Sequence, residues 1–245
     1  MYKSLRAQTL HYFARPQDGI PTEPIKSPAA WLGKDMRHSD EWQYRFTDDE
    51  VRELKAALKH AESTGRPMGR LHQDDFPLPT LAARLAEWGY QIRHGRGFVL
   101  LRGMPVQDWS EQQASLAYWC LGHYFGIPGA QNPEGDLLGH VRDQRTGGDV
   151  RYYRTNKELA VHTDAADFVG LLCLQTAKSG GLSRICSSVA VFNELLRTKP
   201  HLVPRLFKPF YFDTKGEGGV KAFPIAPCRY ADGELRSFWQ SDYYR

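Results

Sequence analysis

No C-x-x-C pair occurs among the four cysteines, Cys120, Cys173, Cys186 and Cys228. That excludes the common zinc-ribbon and thioredoxin-type readings. Cys120 and Cys173 stand in apolar surroundings and are expected to be packed thiols. No apolar run reaches the roughly 20 residues that cross a bilayer, and the amino terminus lacks the apolar core of a signal peptide. An excess of one charge is also missing, since 32 Lys and Arg face 28 Asp and Glu, for a formal net charge of +4. The arginines are scattered, not interleaved with aromatics as a nucleic-acid stripe would be. The expectation is a cytoplasmic enzyme or binding domain with a small-molecule partner, no nucleic acid and no membrane. A homo-oligomer stays open.

What is present suits a sheet-rich fold. The 245 residues are 41% hydrophobic, enough for a substantial core in one or two domains. The 22 glycines and 15 prolines imply many turns. Residues 1–30 carry little periodicity and are expected to run over the surface. Trp42, Tyr44 and Phe46 alternate as in a short strand. Thr47 followed by Glu50 forms a capping-box pattern, and Val51, Leu54, Ala57 and Leu58 give the helix after it one apolar face. Residues 61–79 read as a polar, Pro-rich connector. A second helix carries Leu81, Leu85 and Trp88 on one side and is expected to end at Gly89. A third opens at Ser110 with Gln113 three residues on, and His123 at its far end reads as a packed side chain. Short apolar segments between glycine-rich turns predict strands over 97–102, 137–142, 159–163, 169–175 and 184–188.

The chemistry concentrates at His162-Thr163-Asp164. In an extended segment, residues two apart point the same way, so His162 and Asp164 are placed to face one cavity. An imidazole and a carboxylate suit a divalent metal such as Fe(II), Mn(II) or Zn(II). Composition alone yields about one such spacing in a chain of this length, so its context carries the weight. An apolar run, Phe168 to Thr176, follows, then a Lys178-Ser179-Gly180-Gly181 turn and a second apolar run. His140 and Asp143, three apart, do not face one another on a strand. Arg142, Arg145, Arg151 and Arg154 make the neighbourhood basic, as a solvated loop or as a carboxylate-recognising one.

Four stretches together resemble a known family. They are G-F-V-L-L-R-G-M-P (97–105), Q-N-P-E-G-D-L-L-G-H-V-R-D (131–143), N-K-E-L-A-V-H-T-D (156–164) and L-L-C-L-Q-T-A-K-S-G-G-L-S (171–183). They look like the TauD/TfdA family of non-haem Fe(II)- and 2-oxoglutarate-dependent dioxygenases. The resemblance implies a mainly β fold with flanking helices, a distorted double-stranded β-helix or jelly roll. It divides the chain into an N-terminal extension with helices over 1–90 and a partial jelly-roll domain over 91–245. It implies that His162 and Asp164 bind iron, that Ser183 contacts 2-oxoglutarate and that Asn156 lines the cavity. The implied activity is hydroxylation of a small organic substrate, with succinate and CO2 as co-products.

The family also uses a distal His and a downstream Arg. The sole later histidine, His201, stands in T-K-P-H-L-V-P, a helix-boundary context that matches the distal ligand poorly. The expectation is therefore a chain that stops before the distal His, as a fragment or a degenerate member. Two rival classes follow: a catalytically inactive jelly-roll binding or interaction protein, and a cupin-like metalloenzyme that does not use 2-oxoglutarate.

Overall fold

The computed structural model describes residues 2–132, 134–142, 158–164, 166–213, 221–240 and 243–244. The chain forms two compact units, each discontinuous in sequence. The first comprises Met1–Lys3, Pro21–Gly129 and Ala166–Pro200, and the second Ser4–Ile20, Ala130–Ala165 and His201–Arg245.

The second unit opens with helix α1 (Leu5–Phe13), and the first with the short helix α2 (Gly33–Met36), strand β1 (Gln43–Arg45) and helix α3 (Asp48–Ser63). The capping box at α3 forms as its sequence requires. Thr47 Oγ1 accepts from the Glu50 amide at 3.2 Å, and the Glu50 carboxylate accepts from the Thr47 amide at 2.8 Å. Two otherwise orphaned amide donors are thereby satisfied. Leu54, Ala57, Leu58 and Ala61 are buried along one stripe of α3, the i, i+3, i+4, i+7 spacing of a helix packed on a core.

Helix α4 (Leu81–His94) buries Leu81, Leu85 and Trp88. It does not end at Gly89. A glycine inside a helix costs only about 1 kcal/mol, and burying Trp88 beside Tyr44 and Phe46, at centroid distances of 5.0 and 6.0 Å, outweighs it. The helix stops at Gly95. Residues 61–79 are less polar in the fold than in the sequence. Leu71, Phe76 and Leu78 are fully buried there, each contributing about 1.5–3 kcal/mol of apolar burial.

Strand β2 (Leu100–Arg102) pairs in parallel with β1, Tyr44 opposite Leu101. It is shorter than the predicted 97–102 and is not buried, since Leu100 and Arg102 are exposed. Helix α5 (Glu111–Gly122) carries the second predicted capping box, Ser110 with Gln113. Helix α6 (Ser188–Thr198) buries Val189 and Phe192. The Asn193 side-chain amide clasps the backbone N–H and C=O of Ile25 at 2.8 and 2.9 Å.

The second unit is completed by helix α7 (Val203–Leu206) and two hairpins, β3 (Phe210–Asp213) with β4 (Ala222–Ile225) and β5 (Cys228–Ala231) with β6 (Glu234–Ser237). Phe212, Ile225 and Phe238 form its core, with Phe13, Phe223, Tyr243 and Tyr244 packed around them. Phe212 and Tyr243 stack at 5.2 Å. Pro224 sits in β4 opposite Tyr211, which is tolerated because both strands of a two-stranded sheet are edges. The turn between β5 and β6 is Asp232-Gly233, with φ of 54° and 79°, the double left-handed geometry of a type I′ hairpin. Residues 1–30 are better anchored than expected. Beyond α1, Asp18 donates its amide to Tyr230 O at 2.9 Å.

Among the described residues helix outweighs strand, and the strands form three two-stranded sheets, not a closed barrel. The mainly β expectation is corrected to that extent. The described parts of 137–142, 159–163, 169–175 and 184–187 are irregular, not strands, and Ser188 opens α6. Apolar content alone does not make a strand, because the backbone donors and acceptors need a paired neighbour. Val169, Leu171 and Ile185 are exposed here, so no core face fixes a register. Cys173 is likewise exposed, not packed, whereas Cys120 is buried. Burial pushes the Cys120 thiol up to about 12.

Candidate metal centre

The stretch from Glu158 to Asp164 has no regular secondary structure, yet it holds its two chemical groups together. His162 Nε2 lies 3.7 Å from Asp164 Oδ1. The two side chains are 34% and 53% exposed, open enough for a ligand to reach both. His162 Nδ1 lies 2.7 Å from Ala160 O. A carbonyl oxygen only accepts, so Nδ1 carries the proton and donates it. With Nδ1 so engaged, Nε2 is the ring nitrogen left for a metal, the arrangement by which a backbone carbonyl orients a metal-ligating histidine.

Thr163, between them, turns to the C-terminal segment. Its amide donates to Trp239 O at 2.8 Å, and its Oγ1 accepts from the Trp239 amide at 2.7 Å. Its carbonyl accepts from Gln240 Nε2 at 3.1 Å. Nothing in the local sequence signals this contact, which joins positions 76 residues apart.

The donor set fits a divalent first-row metal. A separation of 3.7 Å is below twice the usual metal–ligand distance of about 2.1 Å, so one ion can touch both atoms. An imidazole nitrogen with a carboxylate oxygen suits Fe(II). Among the described residues, no third His, Cys, Asp or Glu joins them in a metal-holding group. His201 lies on a short 3-10 turn, Pro200–Leu202, and His140 is exposed on an irregular stretch.

The other predicted site residues stand elsewhere in the sequence. Ser183 belongs to the first unit, exposed on an irregular stretch after Gly180 and Gly181. Those glycines adopt φ of 72° and 68°, so the expected turn is present and left-handed. Asn156, Asp143, Arg145, Arg151 and Arg154 lie outside the described residues. Among the described residues, no helix is long and apolar enough to cross a membrane.

Known proteins give this geometry its context. The family described as taurine catabolism dioxygenase TauD, TfdA family matches residues 52–240. FR-33289 synthase of Streptomyces rubellomurinus is 28% identical over 223 residues, covering 88% of this chain and 66% of that protein. Taurine hydroxylase-like protein SAT17 of Stachybotrys chartarum is 27% identical over 200 residues, covering 78% of this chain and 52% of that protein. The chain thus spans just under two thirds of the first relative's length and about half of the second's. A family match that takes in His162, Thr163, Asp164 and most of both units shows that this chain belongs to the TauD/TfdA dioxygenase family.

Proposed function

We propose that the protein is an Fe(II)- and 2-oxoglutarate-dependent dioxygenase that hydroxylates a small organic substrate. In the net reaction one oxygen atom of O2 enters a C–H bond of the substrate, and the other enters succinate formed from 2-oxoglutarate with loss of CO2. The observation that carries this reading is the His162–Asp164 pair, with donor atoms 3.7 Å apart and the imidazole tautomer set by Ala160 O. Family membership and the hydroxylase in one relative's name support it.

Iron with 2-oxoglutarate, when bound, supplies the oxygen chemistry that protein side chains do not perform. The protein's part is to hold and orient. His162 Nε2 and Asp164 Oδ1 hold the ion, and the Asp164 charge offsets part of the ion's own. Ser183 donates its hydroxyl to 2-oxoglutarate, and Asn156 lines the cavity. The family's fold is a jelly roll, and the compartment in this reading is the cytoplasm.

Anaerobic titration with Fe(II), then measurement of succinate after oxygen is admitted, tests this reading. Iron binding that His162→Ala abolishes is the expected result, and binding indifferent to His162 overturns it. The lack of a third donor among the described residues favours one second reading, a binding protein derived from the family. Succinate release that depends on Asp164 excludes that alternative.

A further inference from the structure

We propose that Thr163 is a positioning residue for the metal pair and acts through its side-chain hydroxyl; this rests on the metal reading above. In a hydrogen-bonded antiparallel pair, two opposed residues exchange both of their N–H···O bonds. Thr163 and Trp239 make only half of that exchange through backbone, from the Thr163 amide to Trp239 O at 2.8 Å. The return bond, from the Trp239 amide, goes to Thr163 Oγ1 at 2.7 Å. The hydroxyl takes the place that the Thr163 carbonyl fills in a regular ladder. That carbonyl is engaged instead by Gln240 Nε2 at 3.1 Å.

All three polar groups of Thr163 are therefore held by two consecutive residues. The consequence falls on its neighbours. His162 and Asp164 stand on an irregular stretch, where side chains are placed less firmly than on a strand or helix. Fixing the peptide groups on both sides of Thr163 fixes the backbone from which the two ligands project. Any residue supplies the amide and carbonyl. Only a hydroxyl-bearing one supplies the acceptor that the Trp239 amide uses, and that makes the residue type at 163 matter.

The Trp239 side of the contact is itself held. Trp239 follows Phe238 of the aromatic core, and its ring lies 5.5 Å from that of Tyr244. Tyr244 Oη donates to the carbonyl of Phe238, the residue before Trp239, at 2.7 Å.

The test compares Fe(II) affinity, by anaerobic calorimetry on the full chain, for the parent, Thr163→Val, Thr163→Ser, Gln240→Leu and His162→Ala. Valine keeps the shape of threonine and removes the acceptor. It should weaken binding roughly 10-fold or more, as loss of an orienting partner does, while serine should stay within about twofold of the parent. Gln240→Leu loosens the contact from the other side and should weaken binding in the same direction, which keeps the test decisive if Thr163→Val folds poorly. Parent-like affinity in both Thr163→Val and Gln240→Leu overturns the proposal, as does a serine variant no better than valine. Binding unaffected by His162→Ala overturns the metal reading itself, and the positioning role with it. Loss in His162→Ala alone sinks only the role of Thr163.

Discussion

Asp164 Oδ1 stands 3.7 Å from His162 Nε2, with both side chains open to solvent and the imidazole fixed by Ala160. At that distance the carboxylate's charge is the property most exposed to test. Asp164→Asn keeps the shape and removes the charge. Fe(II) affinity should fall beyond the roughly 10- to 100-fold range typical of outer partners. Anaerobic titration of the two proteins checks this, and equal affinities would remove Asp164 from the site.

Ser183→Ala should weaken 2-oxoglutarate binding more than iron binding, because it deletes a hydroxyl and no metal donor. Titrating 2-oxoglutarate into the iron-loaded parent and variant separates the two effects. Unchanged 2-oxoglutarate affinity would dismiss the residue from cosubstrate recognition.

Glu50 is a buried carboxylate with several partners in the first unit. Tyr44 Oη donates to it at 2.9 Å, the Thr47 amide at 2.8 Å, and Arg84 Nε lies 3.3 Å away. Burial raises the Tyr44 phenol above its ordinary value, and the hydrogen bond to Glu50 adds to this. Thr47→Ala should cost about 1 kcal/mol as a lost cap. Glu50→Ala should cost more, on the order of 1–3 kcal/mol, because it leaves buried donors without their acceptor. Urea unfolding of both variants gives the order.

Burial holds the His123 imidazole below its ordinary 6.5, and the nearby His72 acts in the same direction. Its Nε2 is buried and has no hydrogen-bond partner among the described residues, and its ring meets that of Trp119 edge-on at 5.4 Å. The unfolded chain therefore binds this proton at a higher pH than the folded one. Stability from this group is complete above 6.5 and is lost as pH falls through the lower folded value. Denaturation midpoints at about pH 7.5 and about pH 5.5 should differ in that sense, and the difference should shrink in His123→Gln.

Gly233 occupies the left-handed second position of the β5–β6 turn at φ 79°. Gly233→Val should destabilise by at least about 1–2 kcal/mol, the cost of left-handed backbone for a residue with a Cβ. Asp232→Gly, at φ 54°, should be close to neutral. A thermal-unfolding comparison of the two variants distinguishes them.

How much of this was legible depended on the range of the interaction. Thr47 with Glu50 and Ser110 with Gln113 read correctly because a capping box is complete within four residues. Leu81, Leu85 and Trp88 read correctly because a helix repeats its own face. The pairing of His162 with Asp164 is local as well, and the spacing of two anticipated it. Gly89 misled because a local helix breaker was weighed without the tertiary burial of Trp88. The apolar run from Phe168 misled because a strand is a property of two backbones, and one run cannot name its neighbour. The Asp232-Gly233 hairpin is also local, because an Asp-Gly pair suits a two-residue turn by itself. Thr163 with Trp239 carried no local signal.

That last contact also sets an order of events in time. Joining Thr163 to Trp239 closes a loop of 76 residues, and closure entropy grows with the logarithm of loop length. The β5–β6 hairpin, with a two-residue turn, closes at far less cost and can form on a timescale of about 1–10 μs. The ligand-bearing stretch is thus expected to settle after the hairpin and to release when the aromatic core that holds Trp239 loosens. Exchange of the Thr163 amide with solvent deuterium reads out that release directly, with or without metal.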